Sequence, residues 1–519
     1  ARIEAATTFT NGLDTAEEIT GYSGNEAAAQ GRAYLAQISG ALPTTTEAIT
    51  AQKDSAIANV DDSIQSAVDA GNNAAGTTYA LTTGLDTLTG TTNNDTFSAV
   101  IGTNATTANG TTLNPGDNLT GGSSTDTLAV AVAGTHTTAQ TISAFDLTSV
   151  ESVMVSNFQT ADNFDTTLNM SLASGITKLG VSSSAASGDT LFTGVQGLAA
   201  AEMNFGAGDL SITYADAAVT GSADTQTLAL NGVTAGTFTA AATSTGGVET
   251  LAITSSGAAG NVLTAITNDA SLTKITVAGT QALNVGTLGA AVTTFDASGN
   301  SGGVTAIMSA TTTTASTGST NNDVFTTGTV LTTGSINAGD GIDTLNVLGD
   351  TVVASAALGA KYTGFEVLSV TQAAQTLDNT RSQDTSLVSG VTVLNATSQA
   401  TTANADKTSG LTFSNLGADT NTLSITGLSN ADTTVNDDYS VTVTATRAAN
   451  TVGDSMTLNL GSASATSGAT GLALNPGVAG AVILDVLLAN EETITVNSLG
   501  ASGSNFIDDF TNTSASSMV

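Results

Sequence analysis

Asp86 and Asp95 stand nine residues apart, and each is followed two positions later by a large apolar residue, Leu88 or Phe97. The stretch Gly84-Leu85-Asp86-Thr87-Leu88-Thr89-Gly90-Thr91-Thr92-Asn93-Asn94-Asp95-Thr96-Phe97 reads as two tandem nonapeptides, each with small turn residues, an aspartate, a spacer and an apolar side chain that buries. Asp117 and Asp126 repeat the spacing, with Leu119 and Leu128 at the apolar position and Gly121-Gly122 opening the second copy. Far downstream, Gly318-Ser319-Thr320-Asn321-Asn322-Asp323-Val324-Phe325 restates the stretch from Gly90 to Phe97. Ala338-Gly339-Asp340-Gly341-Ile342-Asp343-Thr344-Leu345 is the fullest match. Turn carbonyls and carboxylates are hard oxygen donors of the kind Ca²⁺ takes, and the spacing is that of the calcium nonapeptide G-G-x-G-x-D-x-U-x. Thr82, Thr91 and Asn93 replace glycines of that pattern, so recurrence rather than any single copy carries the reading.

Such turns have to be held by strands. From Tyr79 onward, short period-two segments alternate with Gly, Asn, Asp and Ser turns, which predicts strands at 127–132, 151–156, 226–231, 250–254, 274–277, 344–348, 391–394, 440–444 and 493–496. The expected fold is mainly β, an elongated β-solenoid of parallel β-roll-like modules with a short N-terminal helical segment. Four segments share a glutamate followed by apolar residues two and four places on: Glu151, Glu249, Glu366 and Glu492. In a strand these apolar residues face inward, so each Glu reads as ending or capping a rung rather than as a catalytic acid. Nonapeptides precede Glu151 and again Glu366, an order that reads as an internal duplication. The expected organisation is therefore 1–76 helical, 77–310 a first β module and 311–519 a second. Residues 372–475, which lack these motifs, are a candidate sandwich-like insertion.

At the start, apolar residues at helical spacing predict one amphipathic helix from Ile49 through Val68, with Thr46 as N-cap and Gly71 as stop. A weaker helix is expected over 25–38. A helical pair here is expected to cap the β stack. The tail, with Phe506, Asp508, Asp509 and Phe510, reads equally as an export signal or as a capping strand. The first residue, Ala1, is read as a processed or trimmed start.

Composition removes whole classes of function. The 519 residues contain no Cys, no Trp and one His, which excludes disulfides, thiolate metal sites and most His-based catalysis. His136 is expected to be an ordinary surface residue. With 9 basic against 44 acidic residues, a net charge of −35 argues against nucleic acid and anionic membranes and favours cations as partners. Of the 44 acids 33 are Asp, the shorter carboxylate that turns use. No apolar run approaches the ~20 residues that span a bilayer.

The repeats from Gly318 to Phe325 and Ala338 to Leu345, in an acidic, Cys-free, Thr/Ala/Gly-rich chain, resemble the RTX-type calcium-binding bacterial surface-layer proteins. The resemblance implies type I secretion, folding outside the cell on Ca²⁺, a self-assembled lattice at the cell surface and attachment through lipopolysaccharide or another surface glycan. It carries the Ca²⁺ role to Asp86, Asp95, Asp117, Asp126, Asp323 and Asp343, with Asp340 beside them. Eroded glycines and runs of only two nonapeptides depart from the family pattern.

Self-association of a structural subunit is thus the expected activity. An RTX-type adhesin or a matrix or filament protein would share the motifs. A solenoid lyase or protease would need residues the chain lacks: there is no H-E-x-x-H, and with a single His no G-x-S-x-G triad.

Overall fold

The structure is a computed structural model. It describes residues 2–518 apart from 23, 38–45, 73–74, 103–109, 133, 135, 137, 161–164, 269, 309–313, 328–330, 332, 349–352, 376–378, 401–406, 427–428, 431–438, 462–481, 500–504, 506 and 514–516. Two compact units are present, the first comprising 1–229 with 235–247 and the second 230–234 with 248–519.

The first unit opens with helices α1 (Arg2–Gly12), α2 (Ala16–Gly21), α3 (Gly24–Ala36), α4 (Thr46–Ala58) and α5 (Val60–Asn72). They bury a core of their own, built on Phe9, Tyr34, Ala56, Ile64 and Val68. The single helix expected from Ile49 to Val68 is two, because the chain turns at Asn59. There the Asn59 side chain donates to the Ser55 carbonyl at 3.0 Å, the local competition with the backbone that makes Asn a poor helix interior residue. Thr15 caps α2 in a reciprocal box with Glu18, a start absent from the sequence expectation.

Beyond the helices the chain is mainly β, and the strand pairings described are parallel. In the first unit Ala75–Ala80, Asn94–Ile101, Thr127–Val132, Ser152–Asn157, Lys178–Ser184 and Ala200–Gly206 lie side by side in that order. A second row runs through Gln140–Ile142, Thr166–Asn169, Thr190–Val195, Leu210–Tyr214 and Thr237–Ala242. A third, shorter row contains Thr87–Thr89, Asn118–Thr120, Asp146–Thr148 and Ala173–Ser174. Parallel neighbours need a long connection between them, and here the connection is the remainder of each coil, with its own strands. This is a parallel β-solenoid, and each coil is one rung.

The second unit repeats the plan. One row holds Thr250–Ser256, Lys274–Gly279, Thr294–Asn300, Ala315–Thr317 and Ser335–Asn337. Another runs from Val304–Met308 through Val324–Thr327, Thr344–Leu348, Val367–Gln375, Val393–Ala400, Thr422–Ile425 and Ser455–Leu460 to Thr493–Ser498. The third contains Asn379–Asp384, Lys407–Leu416, Tyr439–Arg447, Val482–Ala489 and Asp509–Asn512.

Two expectations about organisation are corrected. The described strands within 372–475 continue the parallel rows on either side, so they form further rungs and not an antiparallel sandwich. No division falls at 310, because strands before and after it pair directly, Thr294 with Ala315 and Thr305 with Val324. In the tail, Asp509–Asn512 adds to one row and Ser517–Met518 to another, as capping strands would.

Period-two alternation explains the interior. In the second unit Ala306, Phe325, Leu345, Leu368, Leu394, Leu423 and Leu458 stack in register from rung to rung, and all are fully buried. Burying each such Leu or Phe is worth about 1.5–3 kcal/mol relative to exposure. Phe325 also meets Phe295 and Phe365 edge-on at centroid distances of 6.2 Å. One residue further along, Thr326, Asn346, Ser369, Asn395, Ser424, Asn459 and Asn497 form a polar column on the other face. Its side chains bond along the stack, as in Asn497 to Asn459 at 2.9 Å.

Candidate cation site on two carboxylate columns

The nonapeptide spacing proves to be the step between two corners of one coil, since Asp86 precedes strand Thr87–Thr89 and Asp95 lies at the start of Asn94–Ile101. Stacked aspartates are one whole coil apart, 31 residues for Asp86 to Asp117 and likewise for Asp95 to Asp126. All six nonapeptide aspartates are buried, four of them completely.

What brings each carboxylate inward is the amide of the preceding rung. Asp86 N–H donates to Asp117 Oδ1 at 3.0 Å, and Asp95 N–H donates to Asp126 Oδ1 at 2.7 Å. Asp126 N–H in turn donates to Glu151 Oε2 at 2.8 Å. The second unit holds the same column: Val304 N–H to Asp323 Oδ1 at 2.6 Å, Asp323 N–H to Asp343 Oδ1 at 2.7 Å, and Asp343 N–H to Glu366 Oε2 at 2.9 Å. Glu151 and Glu366 therefore stand where the recurrence placed them, closing a column of aspartates. Asp340 is exposed and is outside the column, though its charge helps to raise the pKa of Asp343.

The second carboxylate oxygen separates these residues into two kinds. In Asp86, Asp95 and Asp323, Oδ2 accepts the backbone N–H four residues back, from Thr82 at 2.8 Å, from Thr91, and from Ser319 at 2.6 Å. Asp117 Oδ2 takes the N–H of Asn114 at 2.7 Å. Asp126 Oδ2 and Asp343 Oδ2 are buried and have no hydrogen-bond partner. The cause is local backbone: the residues four and two before these aspartates are left-handed, Gly122 (φ 120°) and Ser124 (φ 81°) in one, Gly339 (φ 102°) and Gly341 (φ 143°) in the other. Thr91, Asn93, Ser319 and Asn321 at the same places elsewhere are not left-handed. The residue two before the closing glutamate is left-handed as well, Ser149 at φ 50° and Gly364 at φ 75°.

Burial, opposed by the hydrogen bond from Asp95, raises the Asp126 carboxyl to about 6, with the Glu151 and Asp95 charges adding to the rise. Burial likewise raises Asp343 to about 6, with Asp323, Glu366 and Asp340 adding to it. Each carboxyl is thus poised to gain from a proton or from a cation.

These two positions fit a hard cation. Gly121 brings its backbone close to Asp126 Oδ2 and the Ser149 carbonyl, as Gly90 does beside Asp95 and Gly318 beside Asp323, while Ala338 holds that place before Asp343; what sets Asp126 and Asp343 apart is the uncommitted oxygen itself. Among the described residues no group of three or more acidic or imidazole side chains is arranged to hold a metal ion by itself. An ion at either position would therefore take backbone carbonyls for most of its shell, which Ca²⁺ accepts and Mg²⁺ does not readily.

Sequence reasoning missed three features. Asp189 and Asp209 form a further carboxylate column, Asp209 N–H to Asp189 Oδ1 at 2.8 Å and Thr237 N–H to Asp209 Oδ1 at 2.6 Å. Its signal was a Gly-Asp pair directly before each strand, Gly188-Asp189 and Gly208-Asp209. Arg447 is buried against Glu491, with Nε at 2.9 Å from Oε1 and Nη2 at 3.0 Å from Oε2. His136, expected at the surface, is 1% exposed, and its backbone N–H donates to Gln159 Oε1 at 2.9 Å.

Fold and site together define a parallel β-solenoid whose corners are pinned by stacked carboxylates. The chain matches no protein-family model and no curated protein.

Proposed function

We propose that the chain is a calcium-dependent structural subunit of a bacterial cell-surface layer, exported to the outside of the cell, whose activity is to associate with copies of itself. The observation that carries this reading is the twofold recurrence of the Asp–Asp–Glu column, each copy leaving a buried carboxylate oxygen uncommitted. Buried anions without partners oppose folding. An ion that binds the folded chain and not the unfolded one reverses that, so folding follows the calcium of the medium. Extracellular calcium modules bind at about 10⁻⁴ to 10⁻³ M, which suits a protein kept unfolded inside and folded outside. Subunits of net charge −35 repel one another, and divalent cations between their faces relieve this. Lipopolysaccharide or another surface glycan is the proposed anchor. Among the described residues no helix is long and apolar enough to cross a membrane.

Negative-stain electron microscopy of the purified chain, with Ca²⁺ and with chelator, tests the proposal. Ordered sheets or fibres that need Ca²⁺ are expected. Monodisperse particles in both conditions would overturn self-assembly and favour an adhesin of the same architecture.

A further inference from the structure

We infer that each unit has one cation-accepting position, at Asp126 Oδ2 in the first and Asp343 Oδ2 in the second, and that Asp86, Asp95, Asp117 and Asp323 bind no ion but serve as hydrogen-bonded rungs. The inference rests on the calcium reading above and narrows it from seven candidate aspartates to two.

Two observations meet at these positions and not at the others. The carboxylate is fully buried with one oxygen uncommitted. Two left-handed residues in the turn withdraw the amide that satisfies the equivalent oxygen at Asp95 and Asp323. A third left-handed residue lies on the next rung, two before the glutamate, a feature shared with the rungs after Asp95 and Asp323, where Ser124 and Gly341 hold that place. In the first unit two of these three are serines, Ser124 and Ser149, for which the conformation costs about 1–3 kcal/mol each. The second unit reaches the same backbone with Gly341 and Gly364. The same shape arising twice from different residues, once at the expense of strain, indicates that the shape is what matters. A turn that leaves a buried carboxylate oxygen without an N–H leaves it open to a cation with an all-oxygen shell.

The test uses the full chain freed of metal, titrated with CaCl₂ by isothermal calorimetry, with thermal melts in chelator as a second readout. The wild type should bind two ions, Asp126→Asn and Asp343→Asn one each, and the double variant none. Asp95→Asn and Asp323→Asn should retain two. The melts separate the roles with opposite signs. Asp126→Asn keeps the oxygen that accepts Asp95 N–H and removes an uncommitted charge, so its Tm in chelator should rise. Asp95→Asn sets an NH₂ against the Thr91 N–H, so its Tm should fall with or without Ca²⁺. Two ions still bound by the Asp126→Asn, Asp343→Asn double variant would overturn the inference, as would no calcium bound by the wild type. In the first case Ca²⁺-dependent sheets in the microscope would leave the assembly proposal standing. Two ions bound at these positions by a chain that never assembles would sustain the inference and remove the proposal.

Discussion

At the scale of single residues, carboxylates in this chain serve chiefly as acceptors for backbone amides. Asp216 shows this outside the columns: it accepts Ser244 N–H at 2.8 Å and Thr245 N–H at 3.1 Å, and the Ser244 hydroxyl as well. Hydrogen bonds from Ser244, side chain first, then backbone, lower its carboxyl to about 2. A folded pKa below the unfolded value makes the contribution complete above about pH 4 and lost as pH falls toward 2. Comparison of Asp216→Asn with the wild type by urea unfolding between pH 2 and 5 should show a shallower acid loss in the variant. Equal slopes would mean the contact adds nothing. Aspartate spacing was legible because D-x-U recurs at fixed offsets. Which oxygen each aspartate leaves free was not, since that depends on left-handed backbone at Ser124 and Ser149, residues whose type does not call for it.

At the scale of elements, strands were read well and turns between helices poorly. Thr127–Val132 and Thr344–Leu348 have the expected limits, because alternation with glycine or aspartate at the ends leaves little choice. The break at Asn59 and the capped start at Thr15 turn on single hydrogen bonds that periodicity does not report. Parallel pairing in the described part of 372–475 was hidden because its rungs lack the nonapeptide, although Asp454 still accepts Thr451 N–H at 2.7 Å before its strand, and the pattern rests on the Leu394, Leu423, Leu458 stack. In the same region Arg447, on strand Tyr439–Arg447, holds Glu491 just ahead of strand Thr493–Ser498, and also donates to the Gly417 and Ser455 carbonyls at 2.9 and 2.8 Å. Burial pushes the Glu491 carboxyl up and Arg447 opposes it. Glu491→Gln would leave the buried guanidinium with only Asp454, 4.0 Å from Nε, as counter-charge, a loss of about 3 kcal/mol by denaturant unfolding. Arg447→Met with Glu491→Leu should recover most of that. A double variant as unstable as the single one would show that the pair is needed for more than charge balance.

At the scale of the whole molecule, each unit has parallel rungs, and the bonds of its Asp–Asp–Glu column all run one way, opposite to those of the Asp189–Asp209 column. The amide of an earlier coil donates to the carboxylate of a later one, from Val304 to Asp323 to Asp343 to Glu366. That column therefore has an arrow, and its two ends are not alike. Loss of the coil that opens the column strands an acceptor, Asp323 Oδ1, in a carboxylate that still accepts Ser319 N–H. Loss of the last coil strands a donor and removes the glutamate that completes the coil before it. Deletion of 304–322 should therefore cost less stability than deletion of 344–366, a comparison that hydrogen exchange of the amides at Asp323 and Asp343 would resolve. Equal protection in the two deletions would show that the arrow has no energetic weight. If it has, each column is secured from its later end, and the closing glutamate acts as a clasp for the coils the column joins.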